Sequence, residues 1–250
     1  MTASEVPNPN PEERRLSRQT PDDSLTRFQA FVCGLVLLFC ALGLTVGVPL
    51  LSSGVASHQT ERVLNAWSDN DSLPPPSYWE QLHQRALRAT ESYPVANGEY
   101  LDRLGRVSLW GAAINSKAEQ RWQDAIAAFR ASVAARPSWP WTWLRLAHAK
   151  LHSGQLDHEF DRALHQAARL GAGRADLNRD LARMGFDAWS LLSIEQRALV
   201  LSAAGQLARR SEHDASYVYE VASAAGADRA LCWALDTAVK TEQRICKEEG

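Results

Sequence analysis

The longest uncharged stretch of the chain constrains its fold most strongly. Between Phe28 and Thr60 there is no Asp, Glu, Lys or Arg, and Phe31 to Leu51 is an apolar run. As an α-helix this run would be about 31 Å long, close to the hydrocarbon thickness of a bilayer. It lacks the polar face that a helix of a soluble core carries. We therefore predict a single transmembrane helix over residues 28–51.

Basic residues flank this run unequally, which predicts its orientation. Four arginines precede the run, namely Arg14, Arg15, Arg18 and Arg27, whereas only Arg62 follows it within about 20 residues. Because the basic flank stays in the cytoplasm, we expect the carboxyl part on the far side of the membrane, the periplasm of a bacterium. Residues 1–27 are rich in proline, asparagine and charge, which predicts a disordered cytoplasmic tail.

A cleaved signal peptide is the competing interpretation of the apolar run. A cleavage site could lie near Val55, Ala56 and Ser57. The run is, however, longer than the roughly 7–15 apolar residues of a signal peptide. Its length favours a retained, single-pass anchor in the inner membrane.

Beyond the run, residues 52–76 predict a linker helix and a proline-rich loop, and residues 77–250 a periplasmic domain of helices. The clearest helix carries apolar residues at spacings of three and four, namely Trp122, Ala125, Ile126, Phe129 and Val133. Ser193 is expected to cap a helix from Ile194 to Arg210, and a last helix is expected from Asp228 to Arg244. With almost no strand pattern, the sequence predicts an all-α protein.

The pattern around this helix resembles the tetratricopeptide repeat. Four residues stand at the repeat's small, aromatic, small and proline positions: Ala125, Phe129, Ser132 and Pro137. One period of 34 residues after Leu109, Ala112 and Ala113 come Trp143, Leu146 and Ala147. The second repeat then departs from the pattern, with Lys150 in place of tyrosine and with Glu159 and Gln166 in place of small residues. The resemblance implies one transmembrane helix followed by a degenerate tetratricopeptide-like α-helical solenoid.

Composition and motifs argue against nucleic-acid binding and catalysis. The net charge is −2, and no dense basic face is present that could neutralise a phosphate backbone. We find no nucleophile, zinc-protease or phosphate-loop motif, and the Asp69-Asn70-Asp71 run fits an ordinary loop better than a glycosyltransferase metal site. His148 and His152 share a helical face, but no third ligand is near them. We therefore predict no enzyme, no metal site and no cofactor.

At the level of the whole chain, residues 28–210 resemble the VpsP-type accessory proteins of bacterial polysaccharide biosynthesis. The resemblance depends on Arg136-Pro137-Ser138-Trp139-Pro140, on Trp141 and Trp143, and on Gly154-Gln155-Leu156-Asp157 with Phe160. It implies a non-catalytic scaffold for exopolysaccharide or capsule assembly, with membrane-embedded synthesis or export proteins as partners. The alternative is a periplasmic chaperone or translocon-associated factor of similar architecture.

The repeat register also predicts a partner-binding groove. In tetratricopeptide arrays the first helix of each repeat lines a concave surface, and this register directs Trp141, Arg145, His148 and His152 toward it, with Trp110 from the preceding repeat. Trp141 could instead pack inward at the start of its own helix.

Two cysteines lie outside the predicted membrane helix, Cys232 and Cys246. A periplasmic location permits a disulfide between them. A single helix would separate their α-carbons by about 21 Å, however, so the chain must reverse direction for the bond to form. Without that reversal the two thiols stay free.

Orientation and retention of the anchor can be tested together. Alkaline phosphatase fused after Gly250 should be active, because we expect that end in the periplasm. The mature chain should begin before Phe28, as measured by amino-terminal sequencing. An inactive fusion, or a mature chain that begins near Ser57, would contradict the predicted topology.

Overall fold

A computed structural model describes residues 23–69, 73–114 and 117–246. These residues form helices and no strand, which confirms the all-α prediction. The chain divides into two compact units, with the boundary between Leu51 and Ser52. Most of the predicted tail, residues 1–27, and part of the loop after Ser68 lie outside the described residues.

The described residues form eleven α-helices and one 3-10 turn. They are α1 (Asp23–Ser68), α2 (Pro76–Glu91), α3 (Gly98–Ile114), α4 (Ala118–Ala135), α5 (Pro140–His152), α6 (His158–Leu170), α7 (Ala175–Asp187), the 3-10 turn (Trp189–Leu191), α8 (Ile194–Ala208), α9 (Glu212–Ala224), α10 (Asp228–Ala234) and α11 (Thr237–Glu242). Ser193 caps α8 as predicted, because its side chain and that of Gln196 form a reciprocal capping box.

The first unit contains the apolar part of α1. Its large side chains from Phe28 to Leu51 are mostly exposed, and this is the one described helix that is long and apolar enough to cross a membrane. Both a membrane anchor and a signal sequence have this character. Its retention and orientation remain predictions.

Residues 52–68, predicted as a linker, instead pack within the second unit. Their buried stripe is Ser53, Ser57, Thr60, Leu64 and Trp67. Leu64 and Trp67 join a core cluster with Trp79, Leu82, Ala86 and Val107. The stripe begins with small polar residues, so its helical periodicity is weak on a hydrophobicity scale. The end of α1 is therefore part of the helical domain.

Three successive pairs of helices form the centre of this domain: α3 with α4, α5 with α6, and α7 with α8. Ala112, Ala147 and Ala182 are buried at the same place in the three pairs and stand 35 residues apart. Leu146 and Leu181 repeat at the same spacing. The prediction matched Ala113 with Ala147 at a spacing of 34 residues, but Ala113 is exposed, so the predicted register is wrong by one residue.

Helix α3 packs closely on its neighbours because it carries glycine at the contact points. A Cβ atom on Gly105 would lie 2.5 Å from Cε1 of Phe129, and one on Gly111 would lie 2.4 Å from Cζ2 of Trp79. Both aromatic rings are buried, and Nε1 of Trp79 donates a 2.7 Å hydrogen bond to the carbonyl of Val107. These two contacts fix α3 between α2 and α4.

Two residues of the second pair that depart from the tetratricopeptide pattern, Lys150 and Glu159, form an ion pair with each other. Lys150 is only 1% exposed, and its Nζ lies 2.9 Å from Glu159 and 3.0 Å from Asp157. Glu159 also accepts two hydrogen bonds from Arg130 of α4. The hydrogen bond from Arg130, opposed by partial burial and assisted by Lys150, lowers the pKa of Glu159 to about 2. Lys150 and Glu159, which both depart from the tetratricopeptide pattern, are therefore members of one ion-pair network.

The prediction of a single helix from Asp228 to Arg244 is wrong. The chain leaves α10 at Leu235 in an extended conformation and forms the short α11 before Cys246. This reversal brings the α-carbons of Cys232 and Cys246 to 5.5 Å, and the two residues form a disulfide. Val239 and Ile245 are buried against the main core.

The close packing at Gly105 of α3 can be tested against Gly205 of α8, a glycine with free space around it. Gly105→Ala should lower the free energy of unfolding by about 1–3 kcal/mol, because the buried Phe129 ring has little room to move. Gly205→Ala should raise it by about 0.4–1 kcal/mol, because alanine reduces the conformational freedom of the unfolded chain. A Cβ atom on the helical Gly205 would lie 3.6 Å from Cδ2 of Leu235, an ordinary van der Waals distance. Urea denaturation of the full chain in detergent micelles measures both. Equal effects of the two substitutions would contradict the packing described.

Candidate binding groove

Two adjoining clefts lie on the first helices of the three pairs. The first cleft has a volume of about 360 Å³ and is lined by α5 and α7 through Trp141, Leu144, Arg145, His148, Asp180, Arg183, Met184 and Asp187. The second, also of about 360 Å³, is lined by Glu61, Glu99, Asp102, Arg103, Arg106, Arg136, Trp139, Trp141 and Arg145. Because the two share Trp141 and Arg145, we treat them as one groove, called the groove below.

Three of the predicted groove residues lie together in the first cleft: Trp141, Arg145 and His148. Trp110 continues the α3 stripe, but its ring lies against Trp67 of α1, with the ring centroids 5.7 Å apart. His152 stacks on Trp122 at 4.6 Å with the rings nearly parallel. Neither residue lines the groove, because each ring packs on another aromatic ring. The repeat register did not predict these ring contacts.

Arg145 is held in place by an acid of its own chain. Its Nη1 donates to Oδ2 of Asp102 at 2.7 Å, and the hydroxyl of Thr142 donates to Oδ1 of the same carboxylate at 2.7 Å. Asp102 is 7% exposed, so this carboxylate has little contact with water. The charge of Arg145 is therefore paired within the chain, with the carboxylate of Asp102.

A second ion-pair cluster forms the far wall of the groove. Glu61 of α1 accepts hydrogen bonds from Nε of Arg103 at 2.9 Å and from Nη1 of Arg106 at 2.8 Å. Burial alone would raise the pKa of Glu61, but the hydrogen bonds and charges of Arg106 and Arg103 hold it below its ordinary value. The cluster joins α1 to α3 through charged groups with fixed positions.

His148 is neutral at physiological pH. Burial, assisted by the neighbouring His152, lowers its pKa to about 4. The Nε2 atoms of the two histidines are 3.2 Å apart, within hydrogen-bonding distance for one choice of tautomers. Among the described residues no group of three or more potential metal ligands is present.

Sequence reasoning missed the wall that α7 contributes. Asp180 follows Arg145 by 35 residues, and Arg183 follows His148 by the same interval. The repeat spacing seen in the structure would therefore have identified both. The groove combines indole surfaces, aliphatic side chains and charges of both signs, a composition suited to binding another chain.

The lowered pKa of His148 predicts a pH dependence of folding. Between about pH 6.5 and pH 4 the unfolded chain binds a proton at His148 that the folded chain does not, so stability falls as the pH falls. The full shift corresponds to about 3 kcal/mol, and partial solvation of His148 reduces our expectation to about 2 kcal/mol. Urea denaturation at several pH values should show a smaller loss for His148→Gln than for the parent.

The matched control is His165→Gln, which changes an exposed histidine. It should keep the parent's dependence of stability on pH. Identical pH profiles for the parent and His148→Gln would contradict the assignment of a neutral, desolvated His148.

Comparison with known proteins gave no relatives of this chain. No protein-family model, curated protein or solved structure matches it.

Proposed function

We propose that the protein is a non-catalytic accessory protein of the inner membrane, whose helical domain holds a segment of a membrane-embedded partner in the groove. The observation that carries this proposal is the pair of clefts that share Trp141 and Arg145. Tryptophan and arginine are the residues that most often anchor protein interfaces. Here Asp102 orients the arginine before any partner arrives, which lowers the entropy lost on binding.

The groove has the dimensions of a short extended segment. Adjacent packed helices lie about 8–10 Å apart, so three first helices span about 20 Å. An extended chain advances about 3.3 Å per residue, so about six residues would cross the groove. Leu144 and Met184 in the first cleft offer aliphatic contacts to such a segment. A short linear segment of a larger protein is therefore the occupant that fits.

The recurrence of the helix pairs supports a degenerate tetratricopeptide-like solenoid. Ala112, Ala147 and Ala182 allow each first helix to approach its neighbours, as the small residues of that repeat do. In such arrays the first helices line the surface that binds partners. The groove lies on this surface, which supports a role in interaction.

The disulfide and the arginine asymmetry support a periplasmic location for the helical domain. Disulfides persist in oxidising compartments and are rare in the cytosol. Cys232 and Cys246 form one at the carboxyl end of the domain. We accordingly infer an anchor with a cytoplasmic amino terminus and a groove that faces periplasmic parts of membrane proteins.

Exopolysaccharide or capsule assembly is the process that we propose for this scaffold. Its support is the sequence resemblance to VpsP-type accessory proteins, carried by the Arg136–Pro140 segment, Trp141 and Trp143. Trp139 and Trp141 of this region line the groove. The partner would then be a synthase or an exporter of the polysaccharide.

Replacing one groove indole tests the proposal. Trp141→Ala should reduce affinity purification of the partner from membranes, and polysaccharide output, by about tenfold or more, as expected for an interface anchor. Its melting temperature should change little, because Trp141 is only partly buried. The control is Trp233→Ala, which removes an indole that is 89% exposed and distant in sequence from the groove. A folded Trp141→Ala variant with full partner capture would refute the proposal, and capture of secretion components instead would favour the chaperone alternative.

A further inference from the structure

Two arginines converge on a single tryptophan at one edge of the groove. The Cζ of Arg136 lies 4.0 Å from the centroid of the Trp139 ring, and the Cζ of Arg174 lies 5.7 Å from the same centroid. Trp139 and Arg174 occupy the residue just before α5 and just before α7, respectively. The edge is therefore built from two successive loops of the array, and we call Arg136, Trp139 and Arg174 the arginine edge.

The two cations of the arginine edge lack a described acid at ion-pairing distance, unlike the other three arginines of the second cleft. Arg103, Arg106 and Arg145 each form an ion pair with a carboxylate of the chain. Among the described residues, by contrast, no carboxylate lies within 4.0 Å of Arg136 or Arg174. Two cations that share one aromatic ring without a counter-charge leave an unbalanced positive potential at this place.

Further hydrogen-bond donors at this edge have no acceptor. The indole nitrogens of Trp139 and Trp141 donate no hydrogen bond to the described part of the chain. Helix α5 begins here at Pro140, and no side chain caps its first turn. The positive end of the helix dipole adds to the charge of the two guanidinium groups. The arginine edge is thus rich in hydrogen-bond donors.

We propose that the arginine edge binds a carboxylate side chain of the partner segment; this inference rests on the proposed function. Guanidinium groups bind carboxylates through short, charge-assisted and often bidentate hydrogen bonds. The neighbouring cleft has an aliphatic floor, with Leu144 and Met184 buried beside Trp141. The segment therefore carries an acidic residue close to an apolar one, the first at the arginine edge and the second in the cleft.

The same floor favours a peptide over an acidic polysaccharide as the occupant. A sugar that carries carboxylates would satisfy the arginine edge, but its hydroxyl groups would lose water against Leu144 and Met184 without gaining hydrogen bonds. An aliphatic side chain loses no hydrogen bonds there, and its burial is favourable. The groove as a whole thus selects an acidic-apolar peptide.

Synthetic peptides and a sugar can distinguish these chemistries. The full chain in detergent micelles is titrated with three eight-residue peptides that share two leucines and differ only in two positions, which are both Glu, both Gln or both Lys. An oligogalacturonate is the fourth ligand. Tryptophan fluorescence should show the Glu peptide binding at least about tenfold more tightly than the Gln peptide, and more weakly as salt is added.

Replacing both arginines of the arginine edge tests whether they are the groups that bind the Glu side chains. Arg136→Gln/Arg174→Gln should weaken binding of the Glu peptide about tenfold and leave binding of the Gln peptide unchanged. The matched control, Arg162→Gln/Arg229→Gln, removes the same charge from two exposed arginines elsewhere and should leave both affinities unchanged. Arg136 is half-buried and the other three arginines are exposed, so near-ultraviolet circular dichroism is used to check that each variant is folded.

Several results would overturn the inference. One is that the Glu peptide fails to bind, or binds only as tightly as the Gln peptide. Another is that the two double variants lose the same affinity, or that oligogalacturonate binds more tightly than the Glu peptide.

Partner capture in cells separates this inference from the proposed function. If Trp141→Ala abolishes capture and Arg136→Gln/Arg174→Gln does not, the carboxylate inference alone fails. If neither variant affects capture, the groove is not the partner site.

Discussion

The groove depends on one buried carboxylate. Asp102 of α3 accepts hydrogen bonds from Thr142 and Arg145, both in α5, and so joins the first helices of two successive pairs. A buried acid that lost these donors would be left without its counter-charge, which is strongly destabilising. The pair therefore fixes how α3 and α5 lie together, and with them the wall that the two clefts share. The side chains of this wall therefore have positions that are set by folding.

Close packing and ionic contacts have separate roles in the helical domain. Gly105 and Gly111 allow buried aromatic rings to approach α3, which determines how it packs on α2 and α4. Ion pairs on the other faces, from Glu61 and Asp102, connect α3 to α1 and α5. Arg136 and Arg174, which have no acid within 4.0 Å among the described residues, lie at the loops between pairs.

Much of the helical architecture could be predicted from the sequence, because its signals are local. The apolar stripe around Phe129 and the cap at Ser193 are set by residues a few positions apart. Other features depend on distant contacts. The packing of residues 52–68 could not be recognised from a stripe that begins with Ser53 and Ser57, and the reversal at Leu235 has neither proline nor glycine to mark it. Trp110 and His152 were assigned to the groove by register alone, and neighbouring aromatic rings hold them elsewhere.

In-cell crosslinking can show whether the groove holds a segment of a membrane partner. A photo-crosslinking amino acid in place of Arg183, which is exposed at the rim of the first cleft, is compared with the same amino acid in place of Arg162, an exposed position outside the groove. We expect one prominent crosslinked membrane protein from position 183 and none from position 162. Equal crosslinking from both positions, or none from position 183 in cells that produce the polysaccharide, would contradict it.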